Sequence, residues 1–414
     1  MKFFHIADLH FGKTLHNVQL IEKDQPYWVE RLLEAVDAYR PDAIVIAGDV
    51  YDRRVPSPEA MKLFDHLLTE LAKRDKYVFV IPGNHDSSVR LAHVSGLLAS
   101  HKIYIAGGPE REMVHVTVPG DTGSVTFWLM PYVFPKLVSD ERVLDRKDLS
   151  TYDEAVRALL AVQDIDETAC NVLVAHQNVL ANGVPPVHSG SETIIGGLGE
   201  VESSAFDMFD YVALGHIHNA QQIGKETVRY AGCPLYYDFS ELGRNKGLTL
   251  VTVRSKDDIL IEQVEIPILH RLKQESGTLE DLLAAGARLE HKEEYYIQCI
   301  LCDKFVPPRA LEQLRDVYGD QLVHVKRGTT ETKAYATGSA GKGDPPQSIE
   351  EQFILFYLEQ QKELPDGVQE RIVRKALEQQ ARHGGDYMPD ARTVPAADSE
   401  ELLDFLLAAP EDQE

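Results

Sequence analysis

Ile81-Pro82-Gly83-Asn84-His85-Asp86-Ser87 decides how the rest of the chain is read. The apolar run Tyr77–Ile81 precedes it, and a helical pattern opens near Ser88. That context is a strand, a tight turn and a helix start. In the turn, Asn84 offers a neutral carbonyl oxygen to a metal, His85 can carry a proton near neutral pH, and Asp86 can orient a neighbouring imidazole. Gly83 gives the turn its backbone freedom. Taken alone the stretch also fits an ordinary Asx-type loop, so its meaning depends on what the other strands deliver.

Composition bounds the answer. The chain has 414 residues, 43% of them hydrophobic, which suits a folded protein of two or three domains. It holds no apolar run of about 18 residues, so no membrane span is expected. Met1–Asp8 lacks the apolar region of a signal peptide, and a cytoplasmic location is expected. The four cysteines, Cys170, Cys233, Cys299 and Cys302, form no disulfide framework. Cys299 and Cys302 have Cys-x-x-Cys spacing without a second pair, and they read as buried small residues of a strand. The net charge of −24 is the wrong sign for a nucleic-acid binder taken globally. The acid is uneven, however. Nine acidic side chains between His383 and Glu414 stand against Arg392 alone, so a basic surface elsewhere is not excluded.

Working outward from Tyr77–Ile81, strands are expected at Lys2–Ala7, Ala43–Ala47 and Ile103–Ala106. Helices are expected at Pro26–Tyr39, Ser57–Ala72 (Ser57 as N-cap, Pro58 at the first turn) and Val89–Ser100. Successive β-α repeats argue for an α/β sheet with right-handed crossovers. Met113–Met130 reads as a hairpin, Tyr152–Gln163 as a helix and Asn171–Ala175 as a buried strand. Ala181–Glu202 reads as a long loop. Tyr211–Leu214, Val228–Ala231, Gly247–Val253 and Ile259–Ile266 read as strands completing a second sheet. Pro267 to about Leu272 looks like a boundary, after which helix, strand, helix and strand alternate. The expected fold is α/β: a two-sheet sandwich over residues 1–270, a small α/β cap over 271–335 and C-terminal helices. Residues 336–347 are a Gly- and Pro-rich linker. Residues 348–382 hold two amphipathic helices, which need a partner surface because they cannot form a core alone. Residues 383–414 are an acidic tail.

Ligand-type side chains recur just after these strands. Asp8 and His10 follow the first, Asp49 the second, Asn84 and His85 the third, His176 the strand Asn171–Ala175, and His216 and His218 the strand Tyr211–Leu214. Each has a plain alternative: a helix cap or loop carboxylate for Asp8 and Asp49, a core histidine for His176, a loop for His216 and His218. Together they deliver Asp, Asn and His to one edge of an α/β sheet, where ligands collect. Carboxylate, imidazole and amide donors without thiolates suit borderline and hard divalent ions. The seven candidates Asp8, His10, Asp49, Asn84, His176, His216 and His218 are too many for one ion with an open position. They suit two ions about 3.5–4 Å apart sharing a carboxylate. Asp49 is the natural bridge. His85, next to Asn84, should project over the site as a general acid. Asp52 competes with Asp86 for the task of orienting an imidazole.

In order and spacing, Asp8-x-His10, Gly48-Asp49-x-x-Asp52, Gly83-Asn84-His85-Asp86, His176 and Gly215-His216-x-His218 resemble the calcineurin-like metallophosphoesterases. The likeness covers roughly residues 1–270. It implies one metal on Asp8, His10, Asp49 and His218 and a second on Asp49, Asn84, His176 and His216, with His85 as proton donor and phosphate contact. Within that superfamily, Gln25, Val50-Tyr51-Asp52-Arg53, Phe209–His218, Tyr230-Ala231-Gly232-Cys233-Pro234, Phe239-Ser240-Glu241 and Lys246-Gly247 are similar to the SbcD-type nuclease subunits. Cys233 departs from that pattern, where serine is expected. The likeness implies a manganese-dependent DNA nuclease with 3′→5′ double-strand exonuclease and single-strand or hairpin endonuclease activity. It also implies a homodimer, working with an SbcC-type coiled-coil ATPase in DNA repair, recombination and replication at the nucleoid. Lys13, Arg53, Arg54 and Arg90 lie just past metal motifs and are candidates for DNA phosphate contacts. A small-molecule phosphodiesterase or nucleotidase on the same site is the second reading. A non-catalytic scaffold is the third.

Overall fold

The computed structural model describes residues 1–120, 123–192, 199–256, 258–303 and 307–328. The chain divides into two units, Met1–Thr330 and Glu331–Glu414, and the described residues all belong to the first. The linker, the paired terminal helices and the acidic tail expected from the sequence lie outside the described residues.

Two six-stranded sheets build the molecule. In the first, Lys2–Ile6, Ala43–Ala47, Tyr77–Ile81 and Ile103–Ile105 run parallel in that spatial order, with Phe3 opposite Ala43 and Ala47 opposite Ile81. In the second, Val125–Met130, Cys170–His176, Tyr211–Gly215 and Lys225–Tyr230 run parallel. The central strands Ala43–Ala47, Cys170–His176 and Tyr211–Gly215 are buried on both faces, which explains their largely apolar character. Phe3, Val45, Phe79, Phe127, Val172 and Val251 point into the space between the sheets. There the Phe79 and Phe127 rings stack at 4.3 Å. Alternate residues such as Phe4, Ile44 and Val78 point outward, beneath the helices Asp24–Tyr39 and Pro58–Lys73. Tyr152–Leu160 covers the outer face of the second sheet. The fold is the mixed α/β sandwich expected from the sequence. No helix among the described residues is long and apolar enough to cross a membrane.

Three local expectations are corrected. Gly247–Ser255 and Asp258–Glu265 do not join the second sheet. They form an antiparallel pair on the first, with Phe4 opposite Leu250. Strand patterning reports burial, not which sheet supplies the neighbour. The helix expected over Val89–Ser100 breaks into Ser88–Leu91, Ser95–Leu98 and a 3₁₀ turn at Ala99–His101, with Val94 left-handed at φ 59°. Ser95-Gly96 is poor helix material and does not carry the turn through. The loop expected over Ala181–Glu202 ends in a short strand, Glu200–Glu202, paired in parallel with Asn178–Leu180.

After the sandwich, Arg271–Gly277, Tyr295–Leu301 and Leu322–Arg327 form a three-stranded parallel sheet. Its own core joins Leu279, Leu282, Ile297, Cys299, Leu314 and Tyr318. Cys299 is one of these packing residues, its thiol pushed up to about 12 by burial, whereas the Cys302 sulfur lies beside the Ser276 hydroxyl at 3.4 Å. The sheet docks onto the sandwich through Asp24, whose carboxylate accepts from the Tyr296 hydroxyl at 2.5 Å and lies 2.8 Å from His270 Nδ1.

Candidate metal centre

Parallel pairing fixes where the site falls. The carboxyl ends of Lys2–Ile6, Ala43–Ala47 and Tyr77–Ile81 share one edge, and His176 stands in register with Gly215 at the matching edge of the second sheet. The two edges are tied directly. His176 Nδ1 donates to the Ala47 carbonyl at 2.8 Å, and the His216 amide donates to Asp8 Oδ1 at 3.0 Å. The chain bends sharply at these ends. Asp8, His10, Asp49 and His216 all have left-handed backbone, at φ 54°, 41°, 49° and 102°. Such conformations cost of order 1–3 kcal/mol each and persist only where the surroundings enforce them. Two glycines permit the approach. At Gly48, with φ 89°, a Cβ would sit 2.3 Å from His176 Nδ1, and at Gly83 one would sit 2.1 Å from Asp49 Oδ1. Gly83 is therefore needed for its missing side chain and not for left-handed freedom.

All seven ligand candidates come together. Asp8, His10 and His218 present donor atoms within 4.8 Å of one another, as do Asp8, Asp49 and His176. His10 Nε2 and His218 Nε2 face each other at 3.2 Å. On the other side, Asn84 Oδ1 lies 3.1 Å from both His176 Nε2 and His216 Nδ1. Asp49 Oδ2 stands between the groups, 3.6 Å from His10 Nε2 and 3.4 Å from His176 Nε2. One carboxylate oxygen thus faces an imidazole from each set, as a bridging ligand must.

The electrostatics fit a cation. Burial pushes the Asp8 carboxyl up to about 6, the Asp49 charge adds to this, and the surrounding imidazoles and the His216 amide only partly offset it. Burial acts the same way on Asp49, but there the imidazoles of His176, His10 and His85 outweigh it and hold the carboxyl far below its usual range. Burial would lower His176, yet Asp49 and Asp8 raise it to about 9. A proton on that ring supplies positive charge that the carboxylates demand. Burial lowers His10 well below its usual value and His216 to about 3, so both are neutral donors near pH 7. Two adjacent carboxylates, lone-pair imidazoles and one amide oxygen suit divalent ions of the borderline or hard kind.

His85 stands beside this set. Its ring meets that of His10 edge-on at 4.9 Å, and its backbone amide donates to Asp49 Oδ1 at 2.9 Å. Nδ1 donates to the Asp52 backbone carbonyl at 3.0 Å, which fixes the ring. Asp52 therefore positions His85 through its main chain, while its carboxylate pairs with Lys13 Nζ at 2.8 Å. Asp86 orients no imidazole. Its oxygens accept from the amides of Gly83, Val50 and Tyr51 at 3.0, 3.0 and 2.9 Å, locking the Asp49 turn to the Asn84 turn. Burial and the Asp49 charge raise it to about 6 despite those bonds.

The basic candidates are not one cluster. Lys13 is spent on Asp52, and Arg53 is exposed with Nε 3.7 Å from Asp52 Oδ2. Arg54 is exposed. Arg90 lines a separate apolar groove of about 580 Å³ with Met61, Phe64 and Leu68.

Further supports were not assigned a role from spacing. Gln25 accepts from the Gly12 amide at 2.9 Å and donates to the His10 carbonyl at 2.8 Å, closing the Asp8-x-His10 turn. The Tyr237 hydroxyl donates to the Leu9 carbonyl at 2.7 Å. The Tyr132 ring lies 6.2 Å from that of His176 and 6.3 Å from that of His216.

The profile of the calcineurin-like phosphoesterase family matches residues 1–220. Among solved structures, the chain is similar to a dimetal phosphatase from Danio rerio, at 12% identity and a TM-score of 0.39, covering 65% of this chain and 98% of that one. It is also similar to the calcineurin-like phosphoesterase YfkN from Bacillus subtilis, at 10% identity and a TM-score of 0.33, covering 65% of this chain and 90% of that one. The chain belongs to the calcineurin-like phosphoesterase family, whose members are metal-dependent phosphoester hydrolases.

Proposed function

We propose that this chain is a two-metal DNA phosphodiesterase, the nuclease subunit of an SbcC–SbcD-type assembly, with Mn²⁺ as the working ion. The observation that carries the metal-dependent hydrolysis is the placing of Asp49 Oδ2 between His10 and His176, with His85 beside the donors and outside them. Asp8, His10, Asp49 and His218 would hold one ion, and Asp49, Asn84, His176 and His216 the other. When bound, such a pair supplies an activated water and neutralises charge on the phosphoryl oxygens. The chain's own groups do the rest. The Asp52 carbonyl accepts a hydrogen bond from Nδ1–H of His85, so Nε2 is the atom from which the protonated ring would give a proton to the leaving 3′- or 5′-oxygen. Asp86 and Gln25 hold the turns so that the donors need not reorganise during the reaction.

DNA as substrate is supported by the motif-level likeness outside the ligand set and by the exposed guanidinium group of Arg53 next to Asp52. The net charge of −24 fits a division of labour in which an ATPase partner supplies much of the DNA contact. The test compares Mn²⁺-dependent hydrolysis of blunt and hairpin DNA, labelled at either end, with that of a panel of mononucleotides and cyclic nucleotides. Cleavage of DNA with little turnover of the panel is expected. Efficient hydrolysis of one nucleotide with DNA left intact would establish the small-molecule reading instead.

A further inference from the structure

Behind His218 runs a chain of hydrogen bonds that the metal motifs do not contain. Ser191 Oγ lies 2.6 Å from His218 Nδ1 and donates to Glu241 Oε1 at 2.9 Å. Glu241 Oε2 accepts from Lys246 Nζ at 2.7 Å, and the same ammonium lies 3.0 Å from Cys233 Sγ. Glu241 is fully buried and Lys246 nearly so, at 0% and 4% exposure. A buried pair of this kind adds little or nothing to stability over apolar residues of the same volume. Its retention beside a ligand histidine calls for another reason. The direct distance from His218 Nδ1 to Glu241 Oε1 is 3.8 Å, too long for a hydrogen bond, so the serine hydroxyl is the connection.

Proton counting fixes the ring. A carboxylate only accepts, so the proton between Ser191 and Glu241 belongs to the serine. The hydroxyl has no second proton, and it must accept from His218 Nδ1–H. In the neutral ring Nε2 is then the lone-pair atom, and it is the one that faces His10 Nε2 at 3.2 Å. The Ser189 hydroxyl lies 2.8 Å from Ser191 Oγ and donates its own proton to Glu192 Oε1 at 3.2 Å. The main chain is held as well, since the His218 amide donates to Glu192 Oε1 at 2.6 Å.

We propose that Ser191, Glu241 and Lys246 are positioning residues that hold His218 as its Nδ1–H tautomer, so that Nε2 is presented to a divalent cation in the Asp8–His10 group. This rests on the metal-dependent reading above and names the residues that tune one of its two sites. The neighbouring ammonium keeps Glu241 in its accepting form, and the serine passes that orientation to the ring. Partners of this kind are worth about 10–100-fold in metal affinity.

The test uses the full-length chain. Long-range ¹⁵N–¹H spectra of the metal-free protein report the histidine tautomers, and calorimetric titration with Mn²⁺ reports affinity at each site. The wild type is expected to show His218 protonated at Nδ1. Ser191→Ala should lose that preference and weaken one Mn²⁺ site by about 10–100-fold, with the other unchanged. Ser191→Thr, which keeps the hydroxyl, should restore both. Glu241→Leu combined with Lys246→Met, which removes the acceptor and both buried charges together, should behave like Ser191→Ala. Wild-type tautomer and wild-type affinity in Ser191→Ala, or a wild-type ring protonated at Nε2, would overturn the proposal. The spectra need neither substrate nor metal. A wild type that binds two Mn²⁺ ions and cuts no DNA would therefore end the DNA reading while leaving this one standing.

Discussion

His85 shows what a single residue contributes beyond its type. Its backbone amide holds Asp49 and its ring is held by a backbone carbonyl, so the side chain can be removed without disturbing the ligands. His85→Gln is expected to lower phosphodiester cleavage by about 10²–10⁴-fold, the usual worth of a positioned general acid. Mn²⁺ stoichiometry should stay at the wild-type value. Cleavage at the wild-type rate would remove His85 from the chemistry. His5, within the strand Lys2–Ile6, makes the opposite case. It is fully buried, with Nδ1 3.0 Å from the Tyr211 hydroxyl and Nε2 3.1 Å from the Leu214 carbonyl. Burial lowers it to about 3. The unfolded chain takes up a proton below about pH 6.5 that the folded chain refuses. Stability from this residue is therefore fully present above pH 6.5 and is lost as pH falls toward 3. The loss is up to about 1.4 kcal/mol per pH unit. His5→Gln should flatten the acid limb of a melting-temperature profile over that window, and an unchanged limb would show that other groups control it.

At the scale of elements, the site depends on how strand ends are joined. The Asp86 carboxylate fastens three amides from two turns. Asp86→Ala leaves them unsatisfied, and we expect a net loss of about 1–3 kcal/mol in denaturant unfolding of the metal-free protein, together with weaker Mn²⁺ binding. Full stability in that variant would mean that water replaces the carboxylate at no cost. This scale also shows what the sequence carries. The central parallel strands were legible because they are apolar on both faces, and the ligand types were legible because they follow strand ends; the polar Arg271–Gly277 was not. The left-handed backbone at Asp8, His10, Asp49 and His216 was not, since none of these is the glycine that such geometry favours. Nor was the sheet joined by Gly247–Ser255, because alternation does not name a neighbour. Ser191 was read as part of a loop, and its partners Glu241 and Lys246 entered only as part of a motif. Ser191 and Glu241 are 50 positions apart in the chain, so no helical or strand spacing links them.

At the scale of the whole molecule, the described residues pack two sheets face to face with their strand ends tied at the donors, and the three-stranded sheet docks on the helix Asp24–Tyr39 through Asp24. The candidate metal centre lies within the sandwich. The amphipathic pattern at residues 348–382, with Phe353, Phe356, Tyr357, Ile372 and Leu377, is proposed as the docking segment for a coiled-coil ATPase. Truncation after residue 340 is expected to keep metal-dependent endonuclease activity and to abolish co-purification with that partner. Undiminished co-purification of the truncated chain would refute the assignment. The central claim is the two-metal centre itself, and anomalous scattering from crystals soaked in Mn²⁺ tests it most directly. Two peaks about 3.5–4 Å apart, with Asp49 between them, are predicted. A single peak, or none at the Asp49 carboxylate, would contradict the account.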